Sequence, residues 1–269
     1  MDTVQIALTR AGFTTTGEPL PTTGWIAHGI AGCGKTTTLR ALLNEHWFIR
    51  VHTYGPTDPP NQSGRFITKP NAEDLKEPNL ICVLDEYAQG PFIPGYHLYL
   101  TDPCQADPQN VRRAHFRNNL SWRVPRVICE YLRKLNYDIL PHSTNQEGYL
   151  SVAGKFEPAS GTVIVETGLI HEELAKSKYS HYTVAHAVGR EWPNVTVYFQ
   201  RIEPDSHWEV RKQFFIAATR SAGKLHVRHY VPIQSPGQPQ VGLFDASCRS
   251  CLGNHHLVAE EEHPAARRR

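Results

Sequence analysis

The 269-residue chain has no apolar run approaching the ~20 residues that a membrane-spanning helix needs. It lacks an excess of either charge as well. Its 28 Lys and Arg against 26 Asp and Glu leave a formal charge of +2, so global charge points to no particular partner. The opening residues, MDTVQIALTR, show no basic start followed by an apolar core, so no secretory leader is expected there. No internal repeat is visible, and no N-K-x-D guanine signature occurs, which argues against a GTPase. Six scattered cysteines (Cys33, Cys82, Cys104, Cys129, Cys248, Cys251) then read most simply as free thiols in a reducing, cytosol-like setting. What is present is an ordinary globular composition, 40% apolar and 20% charged, long enough for one large domain or two compact ones.

The segment GWIAHGI, Gly24 to Ile30, reads as a short buried strand that runs into GIAGCGKTTTLRALL. The second stretch contains G-x-x-x-x-G-K-T, and after Lys35 the residues Leu39, Leu42 and Leu43 recur at helical spacing. A strand, a glycine-rich loop and a helix form the setting in which backbone N–H groups converge on phosphate oxygens at a helix N-terminus. Lys35 would reach the β- and γ-phosphates, and the Thr36 hydroxyl would ligate Mg²⁺. The competing explanation is a glycine turn with an exposed lysine, which the flanking strand and helix make the weaker one.

Fifty residues later LICVLDEY places Asp85 and Glu86 directly after a continuous apolar strand. One carboxylate there suits a Mg²⁺ shell and its neighbour suits an attacking water. YLTDPCQAD puts Asp102 and Gln105 after another strand, where a glutamine amide can sense a γ-phosphate. LSWRVP and FFIAATRSAG each carry one arginine, Arg123 and Arg220, in an apolar or small setting. Singly, each is better explained as half-exposed with a surface partner. After two phosphate motifs, both fit arginine fingers.

Strands expected at Phe48 to Thr53, Leu80 to Leu84 and up to Thr101 are followed by a second set at Thr162 to Glu166, Val195 to Gln200 and Leu225 to Val231. A helix along Trp208 to Phe215, ending near Gly223, separates the last two. This alternation predicts an α/β fold with two lobes built on parallel sheets. The expected boundaries are 1–118, 119–234 and a flexible tail, 235–269, where Pro, Gly, His and charge accumulate without periodicity.

In order and spacing, GIAGCGKT, VLDEY, LTDPCQAD, SWRVP, GREWPNVTV and AATRS resemble the viral superfamily 1 RNA helicases. More narrowly, the chain is similar over about residues 20–232 to the first proteins of the triple gene block of plant potex-, carla- and allexiviruses. That resemblance implies two RecA-like lobes of the P-loop NTPase class and an RNA-stimulated ATPase and helicase. It also implies movement between plant cells through plasmodesmata and suppression of RNA silencing. It assigns catalytic roles to Lys35, Asp85, Glu86, Gln105, Arg123 and Arg220. It assigns nucleotide contacts to Gly29, Gly32, Gly34, Lys35, Thr36, Asp85, Gly189 and Glu191, with Mg²⁺ on Thr36 and Asp85. Val188 departs from the family pattern, standing where related helicases carry Gln before the glycine. The lobes leave no room for large inserted subdomains, which predicts weak or non-processive unwinding.

Between Gln109 and Lys134 seven basic residues face one acid, Glu130. Arg112, Arg113 and Arg117 are candidate RNA phosphate contacts, with Phe116 and Trp122 as aromatics able to stack on bases. The alternative is that these aromatics belong to the core. CRSCLGNHH, with Cys248, Cys251, His255 and His256, offers two adjacent histidines where structural zinc wants a well-spaced pair, so a disordered or partner-binding tail is favoured over zinc. By resemblance the partners are viral RNA, other viral movement proteins, coat protein and a second copy, in host cytoplasm, at plasmodesmata or in inclusions. Two other functions remain open: a non-catalytic RNA-binding movement protein with a vestigial ATP site, and a helicase module of a viral replicase. A small-molecule kinase would not predict the late Arg220.

Overall fold

The computed structural model describes residues 1–166, 169–176 and 180–230. The expected tail 235–269, including the Cys248 and Cys251 stretch, lies outside them. Thirteen strands and six α-helices are described. The chain enters through α1 (Asp2–Arg10), which buries Val4 and Leu8, and a two-residue strand β1 (Thr14–Thr15). The first sheet continues with β2 (Trp25–Gly29), β3 (Ile49–Thr53), β4 (Ile81–Asp85), β5 (Leu98–Thr101) and β6 (Phe116–Asn118). Its spatial order is β1-β6-β2-β5-β4-β3, parallel throughout except for β1 against β6. α2 (Lys35–Glu45) follows β2 and buries Leu39, Leu42 and Leu43, the three leucines whose spacing marks it in the sequence.

Parallel strands share one carboxyl end, and in open α/β sheets that end is where ligands collect. Here it gathers the loop after β2, the Asp85–Glu86 pair at the end of β4, and the turn Pro103–Gln105 after β5.

The connection to the second sheet is a small layer of its own. Strand β7 (Leu120–Ser121) pairs in parallel with β8 (Leu140–Pro141), and α3 (Arg126–Lys134) runs between them. The second sheet holds β9 (Tyr149–Gly154), β10 (Thr162–Val165), β11 (Tyr182–Thr183), β12 (Trp192–Gln200) and β13 (Ser221–Tyr230). Its order is β11-β10-β12-β13-β9, and every pairing is parallel. α4 (Leu169–Lys176), α5 (Val184–Ala187) and α6 (Trp208–Ala218) supply its helices.

The two sheets share their main core, and each also buries a smaller cluster of its own. One cluster of buried residues runs from Val4 and Leu8 through Leu39, Val83 and Leu100 to Ile128, Leu132, Phe214, Phe215 and Val227. The junction is also tied by polar contacts. Tyr137 Oη donates to the Arg211 carbonyl at 2.8 Å, and Arg211 Nη2 donates to the Leu135 carbonyl at 2.8 Å. Truncating Phe214 or Phe215, both fully buried in this shared cluster, would cost ~3–5 kcal/mol.

The seven basic residues that crowd together in the sequence are dispersed. Arg126, Arg133 and Lys134 belong to α3, Arg117 lies on β6, and Arg123 enters the cleft described below. Phe116 is core, 1% exposed, with its ring 5.4 Å from that of Trp25, so it is no base-stacking residue. The strand expected from Leu225 begins at Ser221, and α6 ends at Ala218, so Gly223 belongs to the strand. Among the described residues no helix is long and apolar enough to cross a membrane.

Candidate active site

A cleft of about 740 Å³ lies where the carboxyl ends of the first sheet face the amino ends of β12 and β13. Of the residues singled out in the sequence, Gly32, Gly34, Lys35, Thr36, Asp85, Glu86, Gln105, Arg123, Gly189, Glu191 and Arg220 all line it. Gly29 does not. It ends β2, and a Cβ there would come within 2.6 Å of Cys33 Sγ and 2.9 Å of Phe13. Its contribution is close packing and a carbonyl that accepts a 2.8 Å hydrogen bond from Lys35 Nζ.

The loop after β2 needs two glycines for different reasons. Gly34 caps α2 at φ +93° with open space around it, so only its backbone demands glycine. Gly32 has φ +75°, and a Cβ there would also meet Ser121 Oγ at 2.7 Å and Arg123 Cβ at 2.9 Å. Absence of a side chain at Gly32 lets the turn after β7 pack onto the loop.

Charge in the cleft is concentrated. Lys35 is buried, and its Nζ is 3.8 Å from Glu86 Oε1. Burial works against its cation, but Glu86, with Cys33, Asp102 and Asp85 behind it, outweighs burial and raises its pKa. Asp85 is raised to about 7, first by burial and then by the neighbouring Glu86. Its Oδ1 is buried without a hydrogen-bond partner. An unsatisfied carboxylate oxygen in the cleft that Thr36 also lines is a donor set that fits Mg²⁺ carried by a nucleotide. No cluster of three metal-ligating side chains exists among the described residues, so a cation here would complete its shell from elsewhere.

Glu86 holds φ +52°, a left-handed conformation that costs a non-glycine residue ~1–3 kcal/mol and that collects at functional sites. Its Oε2 accepts from Gln89 Nε2 at 3.2 Å. Gln105 donates through Nε2 to Asp102 Oδ2 at 2.7 Å, which leaves its amide oxygen as the unclaimed end. Asp102 is fully buried, and burial lifts its carboxyl to about 6.

Two guanidinium groups close the other side. Arg123 pairs through Nη1 with Glu191 and donates through Nη2 to the Thr219 carbonyl at 3.3 Å. Arg220 is 5% exposed and donates to the Ile216 carbonyl at 3.0 Å and to Thr219 Oγ1 at 3.2 Å. Burial, followed by the Arg123 cation, draws Arg220 down to about 10, so it stays charged at neutral pH. Two cations facing Lys35 across one cleft can neutralise a polyanion such as a triphosphate.

Val188, the departure noted in the sequence, lines the same cleft and puts an apolar side chain there. The structure adds Thr53 at the end of β3, Gly55 and Pro56 after it, and Trp122. The signal for the first three was the strand itself: residues at and after the end of β3 in a parallel sheet share its carboxyl end. Arg112, Arg113 and Arg117 line no part of the cleft. Arg112 stacks over the Phe92 ring at 3.4 Å, Arg113 pairs with Glu18 at 3.0 Å, and Arg117 lies 3.9 Å from Asp138.

Comparison with known proteins adds findings of three kinds. A family model, the viral superfamily 1 RNA helicase core domain, matches residues 25–229. The movement and silencing protein TGBp1 of Lolium latent virus is 34% identical over 261 residues, covering 94% of this chain and 97% of that protein. That of Potato virus X strain CP is 31% identical, covering 85% and 99%. Among solved structures, the PRRSV helicase aligns with a TM-score of 0.53 at 16% identity, over 76% of this chain and 52% of that one. Arterivirus nonstructural protein 10, a helicase solved with DNA, aligns at 0.50 and 16%, over 84% and 63%. The chain thus spans about half to three fifths of these larger helicases, and the likeness at such low identity shows a shared fold.

Proposed function

The chain belongs to the viral superfamily 1 RNA helicase family and within it groups with the TGBp1 movement and silencing proteins, and on that premise we propose that it is an RNA-stimulated ATPase and helicase serving cell-to-cell movement of a plant virus and suppression of RNA silencing. The observation that carries the enzymatic part is the cleft: Lys35, Thr36, Asp85 and Glu86 from one sheet share it with Arg123 and Arg220 from beyond that sheet.

In this proposal the backbone N–H groups of the loop ending at Gly34 and the Lys35 ammonium hold the triphosphate. Thr36 and Asp85 would hold Mg²⁺, which supplies charge neutralisation at the β- and γ-phosphates when bound. Glu86 accepts the proton of the attacking water, and Gln105 orients that water through its free amide oxygen. Arg123 leaves Glu191 to meet the charge that develops on the γ-phosphoryl group, together with Arg220. Gly189 and Glu191 complete the far wall, where the apolar Val188 removes one polar contact.

The proposed lobes are 1–118 and 119–234. RNA that bridges them would favour closure of the cleft and so stimulate hydrolysis. Arg112, Arg113 and Arg117, exposed and outside the cleft, are its proposed phosphate contacts. We place the protein in host cytoplasm and at plasmodesmata, with viral RNA, companion movement proteins and coat protein as partners and with weak or non-processive unwinding. The test is ATP hydrolysis by wild type and Lys35→Ala, with and without RNA. Wild type should turn over ATP faster than the variant and faster again with RNA; equal rates in the two proteins would remove the enzymatic assignment.

A further inference from the structure

Trp47 is 68% exposed, although it stands on a short, tightly pinned turn between α2 and β3. The His46 N–H donates to the Leu42 carbonyl at 3.1 Å and the Ile49 N–H to the His46 carbonyl at 3.1 Å. From β4, the Ile81 N–H donates to the Phe48 carbonyl at 2.8 Å. Two guanidinium groups wrap the same backbone. Arg50 Nη1 donates to the carbonyls of Trp47 and Ile49 at 2.8 and 3.0 Å, and Arg65 Nη2 donates to the His46 carbonyl.

Those two cations are not offset. Neither arginine forms an ion pair among the described residues, and the buried Nε of Arg65 has no hydrogen-bond partner there. The one carboxylate on the turn, Glu45, lies 3.7 Å from His46 Nε2 instead. The Trp47 ring stands at 88° to that of Phe48, 5.9 Å away, whereas the exposed Phe92 already carries Arg112 over its face at 3.4 Å. The turn also lies away from the cleft. It precedes the amino end of β3, while Thr53 lines the cleft at the carboxyl end, and four rises of ~3.3 Å separate the two ends by ~13 Å.

We propose that Trp47, with Arg50 and Arg65, is an anchor for single-stranded RNA, in which a base stacks on the indole and the neighbouring phosphates meet the two guanidinium groups. The claim rests on the RNA-binding reading given above and adds a contact that the nucleotide cleft does not share. Stacking asks only for a π-face, and a ring already held rigid loses little freedom when a base settles on it. An acidic protein surface is the rival occupant. Protein hot spots are enclosed by contacts that exclude water, and Trp47 is the sole large exposed apolar side chain on α2, β3 and the turn between them. A lone ring flanked by cations fits a base with its phosphates better. At the far end of the sheet, the anchor holds RNA whether or not a nucleotide fills the cleft.

Fluorescence anisotropy with a labelled single-stranded RNA oligonucleotide tests this on wild type, Trp47→Ala and Trp47→Phe, with and without a non-hydrolysable ATP analogue. An oligoglutamate peptide titrated in the same way probes the rival. Trp47→Ala should weaken RNA binding about tenfold, by the same factor in both nucleotide conditions, and Trp47→Phe should recover most of the loss. Both variants should keep basal ATP hydrolysis and melt within about 2 °C of wild type. Unchanged RNA affinity in Trp47→Ala would overturn the anchor, as would a loss confined to the nucleotide-bound protein. So would a loss that comes with a lowered melting temperature and that Trp47→Phe does not recover, which marks a structural role. Oligoglutamate binding that depends on Trp47 while RNA binding does not would hand the site to the rival. Wild type that binds no RNA would instead bring down the RNA-binding reading, and the anchor with it.

Discussion

Replacing Asp85 by Asn should stabilise the empty protein at neutral and alkaline pH, although the residue stands at the centre of the site. Its carboxyl is raised from 3.8 to about 7, chiefly by burial. The folded state thus prefers the protonated form more than the unfolded chain does. The stability this confers is complete below about pH 4 and is lost as pH rises toward and through 7. At ~1.4 kcal/mol per pH unit the interval from 3.8 to about 7 corresponds to at most ~4 kcal/mol lost by pH 8. Asn keeps the shape of the side chain and does not ionise, and Lys35 keeps its Glu86 partner at 3.8 Å. Thermal melts of nucleotide-free wild type and Asp85→Asn between pH 5 and 8 measure the effect. The variant should melt about 5–15 °C higher at pH 8, with the two curves converging toward pH 5. A variant no more stable than wild type at pH 8, or an offset independent of pH, would refute a buried, penalised carboxylate.

Two further predictions concern the glycine loop of the cleft and the arginines outside it. Gly34→Ala should cost only the left-handed backbone penalty, about 1–2 kcal/mol, whereas Gly32→Ala should cost ~1–3 kcal/mol more because its Cβ meets Ser121 and Arg123; urea midpoints should rank them in that order. Replacing Arg112, Arg113 and Arg117 together by Ala should weaken RNA binding and lower its salt slope by up to ~2, at ~0.7 per phosphate contact, and basal ATP hydrolysis should persist. An unchanged slope would remove those residues from the RNA path.

Much of the cleft was legible in the sequence because its pieces are local. A glycine loop between a strand and a helix, or two carboxylates after an apolar run, need only a few neighbours to be read. Arg123 and Arg220 were legible as candidates, but not the way they meet Lys35: β12 and β13 turn their amino ends toward the carboxyl ends of the first sheet, a long-range fact with no local signature. α3 was hidden because RVICEYLRK carries its apolar stripe, Val127, Ile128 and Leu132, among basic residues that invite a reading as a charged surface. β9 was missed for a different reason. YLSVAG has little strand propensity of its own, and its pairing partner, β13, comes seventy-odd residues later. Phe116 and Trp122 lie six positions apart beside the same arginines, yet one is core and the other lines the cleft. Alternation on β6 decides the first and packing onto Gly32 decides the second.

The central claim is that two halves make one site: residues of the first sheet hold the triphosphate, and arginines from beyond it act on the charge formed during hydrolysis. It is tested most directly by measuring ATP affinity and turnover together in Arg123→Ala and Arg220→Ala. Each variant should retain ATP binding through Lys35 and the glycine loop while turnover falls by roughly 10³-fold or more. Turnover at the wild-type rate in both variants would contradict it.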